Sequence, residues 1–481
     1  MSGHEKQIKM TQNKGSHMVQ FLAGIGACNL MVACGSYQAW SSPSIPHLTS
    51  KESPFPVTGE QGTWIVSLFL IGDFLGSLFN PLLIDRIGRK YTLLISALLL
   101  LIGWLMIVLA ENYIWLFLAR FIGGVGQGSI FNSLVIYLAE ISEKHIRGTL
   151  INIMRVGKYV GIFISSSIAA YLSYSILNLF SIGLTVIVVI IVLLLPETPY
   201  YYLMKGDDEK AVKYLMFLRG LSSSESLHLE IKNMKMTIVE DQKNNGSGFR
   251  ELFVKSYNRK GLMILTCLKV TQLLTGYGAI IYYAQEILSL SGSSIEAGVG
   301  VMIVTGIQLL ASLAAIFVID RIDRRKLLLS SGIVDAVSLT AVGLFFFMQT
   351  YNEEYASHIT WLPLFGLILY QVAFALGIGI IPYVLLGELF SINVKGAAVA
   401  SALVIGSVFN FATSAGFKIL NNAIGIYATF WLFAIIAVVG SILTFCITPE
   451  TRGMTLEEIQ AMQNPRIKVK LDGVSKVNLL A

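Results

Sequence analysis

The sequence predicts an all-α membrane protein: twelve transmembrane helices arranged as two six-helix bundles, joined by a cytoplasmic helical linker. Three observations carry this. Of 481 residues, 54% are hydrophobic and 13% charged, against about 25% charged in a soluble chain. The apolar residues come in long runs such as "LLISALLLLIGWLMIVLA" (93–110) and "LTVIVVIIVLLL" (184–195), and a span needs about 20 mostly apolar residues. Finally, short charged motifs recur in the same order in the two halves of the chain.

Runs of spanning length centre near residues 29, 72, 100, 126, 162, 186, 273, 307, 338, 374, 408 and 436. Lys and Arg alternate between the connections. Lys6, Lys9 and Lys14 precede the first span, and only Lys51 follows it. Arg86, Arg89 and Lys90 follow the second, and none lies between the third and fourth. The 198–260 connection holds eleven, the 289–296 connection none, and 320–326 four. By the positive-inside rule both termini are cytoplasmic. The boundaries drawn are a cytoplasmic N-terminus (1–18), a first bundle (19–198), a linker (199–258), a second bundle (259–448) and a cytoplasmic tail (449–481). Within the linker, "DDEKAVKYLMFL" (207–218) and "SLHLEIKNMKMTIVE" (226–240) have helical amphipathic spacing, and "NNGSG" (244–248) is a flexible joint.

"DRIGRK" (85–90) follows span two and "DRIDRRK" (320–326) follows span eight. "AEISEKHIRG" (139–148) follows span four and "GELFSINVKG" (387–396) follows span ten, each with an acid seven residues before a base. "PETP" (196–199) closes span six and "PETR" (449–452) closes span twelve. Six spans followed by six in the same orientation form a parallel repeat. The motif charges are Asp85, Arg86, Arg89, Glu140, Arg147 and Glu197 in the first half. In the second they are Asp320, Arg321, Arg324, Arg325, Glu388, Lys395 and Glu450. All would sit at the inner ends of their spans, where water-accessible ion pairs form and break at about 0–1 kcal/mol each. They suit a gate that ties helix ends together when the inside is shut. Positive-inside anchoring needs only Lys and Arg, so the ordered acids favour the gate.

Other features have plain readings. The net charge of +6 follows the topology of the connections and does not point to nucleic acid. Cys28, Cys34, Cys267 and Cys446 show no metal spacing and read as apolar packing residues. The glycines of "RFIGGVGQGS" lie in mid-span and read as close helix packing. No serine-hydrolase, zinc-protease or phosphate-loop motif is present, so neither an enzyme, a cofactor nor a metal is expected.

"DRIGRK", "PETP", "DRIDRRK", "IIPYVLLGELF", "VKGAA" and "PETRGMTLEEI" resemble the sugar porter family of the major facilitator superfamily. "AWSSPSIPHL" (39–48) and "GELFSINVKGAA" look most like its insect facilitated trehalose transporter-like members. The resemblance runs from about residue 20 to 460. It implies two bundles around a central cavity that opens alternately to each side of a plasma membrane. It further implies a sugar held by polar side chains of spans five, seven, ten and eleven. In span seven the family pattern resembles "QQLSGINAVFYY" where this chain has "QLLTGYGAIIYY" (272–283): Gln272 is kept, while Leu273 and Gly278 replace polar residues. In span ten "GIIPY" keeps Pro382 and has Tyr383 in place of Trp; in span eleven Asn410 is kept and Gly406 replaces a second Asn. In span five the family's Gln position is Arg155. By the same resemblance Arg120 in span four is expected to support the inner gate.

Arg155 and Lys158 lie in mid-span, three residues apart on one helical face, and Lys269 lies three residues before Gln272. The candidate binding residues are therefore Gln272, Asn410, Arg155, Lys158, Lys269, Tyr277 and Tyr383. Two acids also lie within spans, Asp73 and Asp335. Either Asp73 and the cations pair inside the bundle in a structural role, or the cations face the cavity and bind anionic cargo. A third account has Arg155 snorkelling to the inner boundary. The expectation is facilitated sugar transport without coupled protons, since span one carries no acid. Proton symport, carriage of a small organic anion, and a receptor that binds without carrying are the alternatives.

Overall fold

Twelve helices long and apolar enough to cross a membrane are found among the described residues of the computed structural model. It describes residues 18–51, 53, 55–221, 227–243, 247–319, 321–390 and 392–452. Spans one to six are Met18–Thr49, Gly59–Ile87, Arg89–Val108, Tyr113–Ile141, Ile146–Tyr171 and Tyr174–Leu194. Spans seven to twelve are Ser256–Leu290, Ala297–Val318, Arg324–Tyr351, Leu362–Leu386, Gly396–Ile424 and Ile426–Ile447. Every centre read from the sequence falls inside its span. Span one begins and span twelve ends on the same side, called here the terminal face. Asp320, residues 1–17 and most of the tail lie outside the described residues, as does the side chain of Lys395.

Each half packs around its own core. Span four lies against spans two and three, and span one against span five; span nine lies against spans ten and twelve. The two halves meet where span five packs on span eight and span two on span eleven. Large apolar side chains such as Leu194 and Phe317 remain 81% and 71% exposed, which suits a surface facing lipid.

Three spans are broken. Span one is made of Met18–Ala39 and Ser41–Thr49, joined at Trp40. Span seven is made of Ser256–Leu274 and Tyr277–Leu290, separated by Gly276 at φ +91°. Such a backbone suits glycine, and a Cβ there would meet the Phe433 ring at 2.6 Å. Span ten breaks between Leu362–Leu376 and Ile381–Leu389, across "GIGI".

The stretch between the halves folds as helices Pro199–Met204, Asp208–Arg219, His228–Lys243 and Ser247–Val254. The first three share a small core of Leu203, Ala211, Leu215, Leu227 and Met234. Arg219 fastens it to the terminal face: it donates to the Ile141 carbonyl at 3.0 Å and pairs with Glu230 at 2.6 Å and Glu143 at 3.5 Å. Asp207 caps the Asp208–Arg219 helix, and hydrogen bonds from Lys210 hold its carboxyl below the usual range.

The glycine run of span four is a packing surface. A Cβ on Gly124 would lie 2.3 Å from the Phe69 carbonyl, and one on Gly128 would lie 2.0 Å from the Asp73 carbonyl. Both clashes are with backbone of span two, so no rotamer change relieves them. Gly128→Leu is therefore expected to cost about 1–3 kcal/mol or more as an overpacking change, read as a lower thermal midpoint of the detergent-purified protein. An unchanged midpoint would show that spans two and four part freely.

Candidate functional site

Side chains from both halves enclose a cavity of about 140 Å³ in the middle of the molecule. Gln38, Asp73, Gln127 and Lys158 line it from the first half; Lys269, Gln272, Tyr277, Tyr282, Tyr383, Ser407 and Asn410 line it from the second. On the side away from the terminal face the cavity stops at Gln38 and Tyr282. Beyond it Trp40, Tyr283 and Phe417 are buried, and the Gln285 backbone N–H donates to the Ser42 hydroxyl across the halves at 3.0 Å. Towards the terminal face the lining continues through Ser77, Phe131, Ala402 and Leu403.

The helix breaks shape this cavity. Unwound backbone at membrane depth is tolerated where protein or a cavity satisfies it. Gln272 does this for span ten, donating to the carbonyls of Ile378 and Gly379 at 3.0 and 2.9 Å. Its own carbonyl accepts from Lys269 Nζ at 2.8 Å. Arg120 does the same at the join in span one, donating to the Tyr37 carbonyl at 2.7 Å and the Ser41 hydroxyl at 3.0 Å. It is fully buried, with its guanidinium 4.2 Å from the centre of the Phe69 ring. The expectation that Arg120 supports the inner gate is thus corrected. Span four starts on the face opposite the termini, so its first turns meet the far end of span one.

The three cations converge. Lys158 and Lys269 line the cavity, and Lys269 Nζ sits 3.6 Å from the centre of the Tyr383 ring. Arg155 lies close enough to act electrostatically on Tyr383 and Tyr159. Among the described residues no carboxylate lies within 4.0 Å of any of the three, and Arg155 Nε is buried without a partner. Asp73 is within electrostatic reach of Lys158 and accepts from Ser407 Oγ at 3.4 Å. Asp335 lies inside the second half, away from the cavity, with both carboxylate oxygens unpaired.

Tyr277 stacks on Phe374 at 4.4 Å, and the Gln38 and Asn410 amides both face the Tyr282 hydroxyl. The carbonyl oxygens of Gln38, Gln127 and Asn410 are buried and unpaired. Gln38 and Gln127 escaped the sequence reading. Gln127 sits within the glycine run, whose packing signal masks it, and Gln38 lies just before an unforeseen join. Leu273 and Gly406, two positions where the family pattern is polar, face one another: a Cβ on Gly406 would lie 3.8 Å from Leu273 Cδ1.

At the terminal face the motif charges form two matching clusters. In the first half Arg89 pairs with Glu140 at 2.9 Å and Asp85 at 3.5 Å, and Thr198 Oγ1 donates to Glu140 at 2.6 Å. Glu197 accepts from the backbone of Arg89 and Lys90. Burial raises its carboxyl above the usual range, opposed by these backbone hydrogen bonds. In the second half Arg324 pairs with Glu388 at 3.4 Å, Thr451 Oγ1 donates to Glu388 at 2.6 Å, and Glu450 accepts from the backbone of Arg324 and Arg325. Arg325 donates to the Phe445 carbonyl at 3.0 Å. Among the described residues every ion pair of these motifs stays within one half. Among the described residues Arg86, Arg147 and Arg321 make none, and Glu140 binds Arg89. The sequence reading also missed Asp323, which pairs with Arg452 at 3.2 Å and Lys326 at 2.7 Å.

Three substitutions test this geometry by thermal unfolding in detergent. Gln272→Leu leaves two carbonyls unpaired and is expected to cost about 1–3 kcal/mol for each. Arg89→Gln leaves the mostly buried Glu140 without its cation and is expected to cost about 3–5 kcal/mol, whereas Lys326→Gln, at an exposed pair, costs under about 1 kcal/mol. Equal losses from Arg89→Gln and Lys326→Gln would remove the distinction.

Residues 22–462 match the family described as "Sugar (and other) transporter". The facilitated trehalose transporter Tret1 of Apis mellifera ligustica is 31% identical over 456 residues, covering 95% of this chain and 90% of that one. The facilitated trehalose transporter Tret1-2 homolog of Drosophila sechellia is 30% identical over 447 residues, covering 92% and 90%. Among solved structures, the inward-open xylose transporter XylE of E. coli superposes with a TM-score of 0.75 at 21% identity, covering 92% of this chain and 99% of that one. The proton:xylose symporter XylE bound to 6-bromo-6-deoxy-D-glucose gives a TM-score of 0.71 at 21% identity, covering 93% and 98%. These likenesses, with two six-span halves around one cavity, show the major facilitator fold, and the chain belongs to the sugar (and other) transporter family.

Proposed function

We propose that this protein carries a sugar across the plasma membrane by alternating access, as a uniporter, with the terminal face and the helical linker in the cytoplasm. The observation that carries the reading is a cavity shared by the two halves and lined by the uncharged polar side chains of Gln38, Gln127, Gln272, Tyr282 and Asn410. Amide and hydroxyl side chains both donate and accept, which matches the hydroxyls of a sugar. Relatives whose names describe facilitated trehalose transport support the substrate class.

In this reading Gln272, Asn410, Arg155, Lys158, Lys269, Tyr277 and Tyr383 form the binding region. The present state is closed opposite the termini and offers the site to the cytoplasm. The clusters around Arg89 and Arg324 hold each half rigid while the halves rock. Transport needs only that cargo bind both open states and that the occluded state be reachable.

The uniporter reading is tested in proteoliposomes with labelled trehalose and D-glucose. Saturable uptake that equilibrates and is indifferent to a proton uncoupler is expected. Accumulation above the outside concentration that the uncoupler abolishes would assign symport, with Asp73 as the carboxylate in the cavity.

A further inference from the structure

The two ends of the cavity differ in chemistry. Towards the closed face lie neutral polar groups, the Gln38 and Asn410 amides with the Tyr282 hydroxyl between them. Towards the terminal face lie cations in need of an anion. Lys158 and Lys269 line the cavity, and Arg155 stands beside them at Tyr383. Against these three positive charges the lining holds one carboxylate, Asp73, a net charge of two if all are ionised. Lys269 is held by neutral groups alone, the Gln272 carbonyl and the Tyr383 ring. Arg155 keeps a buried, unpaired Nε.

Charges in the membrane interior are costly unless paired. The cost is greatest when both faces are shut and water is excluded. A neutral sugar would hydrogen-bond to the polar end of the cavity and leave the cations as they are. A cargo with hydroxyls at one end and a negative charge at the other satisfies both ends at once.

We infer that the cargo is a sugar acid, a polyhydroxylated ring bearing one carboxylate, with its hydroxyls towards Gln38 and Asn410 and its carboxylate towards Lys158, Lys269 and Arg155. This rests on the transport reading above and specifies its substrate class. The guanidinium fork of Arg155 matches a carboxylate in geometry, and charge-assisted hydrogen bonds are the stronger ones. A single negative charge fits a net charge of two in which Lys269 is already engaged. The apolar contact between Leu273 and Gly406, at two positions where the family pattern is polar, removes sugar-binding groups from one wall and leaves the cationic end as the larger source of affinity.

The test uses the full-length protein in proteoliposomes with labelled D-glucose and D-glucuronate, and unlabelled glucose 6-phosphate as competitor. The expected result is saturable entry of both labelled compounds, with a KM for glucuronate about tenfold or more below that for glucose, the size of one charge-assisted hydrogen bond. Arg155→Gln is expected to raise the glucuronate KM by about tenfold more than it raises the glucose KM. Asp73→Asn removes the competing negative charge and is expected to lower the glucuronate KM. A merely structural role for Arg155 would shift both cargoes together. The inference is overturned if glucose enters saturably while glucuronate neither enters nor competes, if glucose 6-phosphate competes and glucuronate does not, or if Arg155→Gln shifts both KM values equally. Absence of saturable entry for any sugar, by protein that retains a cooperative unfolding transition, overturns the transport reading itself and this inference with it.

Discussion

A peptide group left unpaired in the membrane interior has no water to turn to, and much of this structure follows from how that demand is met at the breaks in spans one, seven and ten. Gln272 takes both exposed carbonyls of span ten, and Lys269 holds Gln272 in place. Arg120 bridges the join in span one. Gly276 alone allows the turn in span seven. The broken segments then turn polar and aromatic side chains into a space that straight helices would fill with apolar ones. Cavity lining and backbone caps are thus partly the same residues: Gln272 and Lys269 line the cavity while completing a helix end.

The second constraint is rigidity within each half. The clusters at Arg89 and Arg324 repeat one another contact for contact: an arginine to a glutamate of the next hairpin, a threonine to the same glutamate, and a further glutamate capping the arginine's own helix N-terminus. Each cluster fastens the terminal-face ends of three spans into one body. Between the halves the contacts are of another kind. Spans five and eight meet closely at glycines, where a Cβ on Gly298 would lie 3.2 Å from Ala170 Cα and one on Gly306 would lie 3.0 Å from the Phe163 ring, and spans two and eleven are joined by the Ser407–Asp73 hydrogen bond. Firm ties inside each half and smooth surfaces between them favour rocking over bending.

The twelve spans and the twofold repeat were legible because both leave long-range signals in the chain, apolar length and motif order. The linker helices were legible from their amphipathic spacing. The partners of the motif charges were not. Motif order grouped these charges at the inner ends of the spans without naming pairs, and Glu140 meets Arg89 from a neighbouring hairpin, a contact that only tertiary packing sets. Arg120 was misplaced because its depth depends on the direction in which span four runs relative to the join in span one. Lys158 and Lys269 in the cavity and Arg155 beside it stood out since charges in apolar runs are conspicuous. Gln38 and Gln127 did not, since a single amide beside glycine or alanine carries no period and no charge.

The central claim is that two rigid halves move about a shared polar cavity, closed on the far side in this state by the Ser42–Gln285 contact. It is tested most directly by distance measurement between spin labels at the exposed positions Thr49 and Ser289, one at the far end of each half, in a background lacking Cys28, Cys34, Cys267 and Cys446. The account predicts a short distance in this state and a second, longer population whose weight shifts when glucose or glucuronate is added. A matching pair of labels within one half should give a single unchanging distance. One fixed distance across the halves under every condition, in protein that still transports, would contradict it.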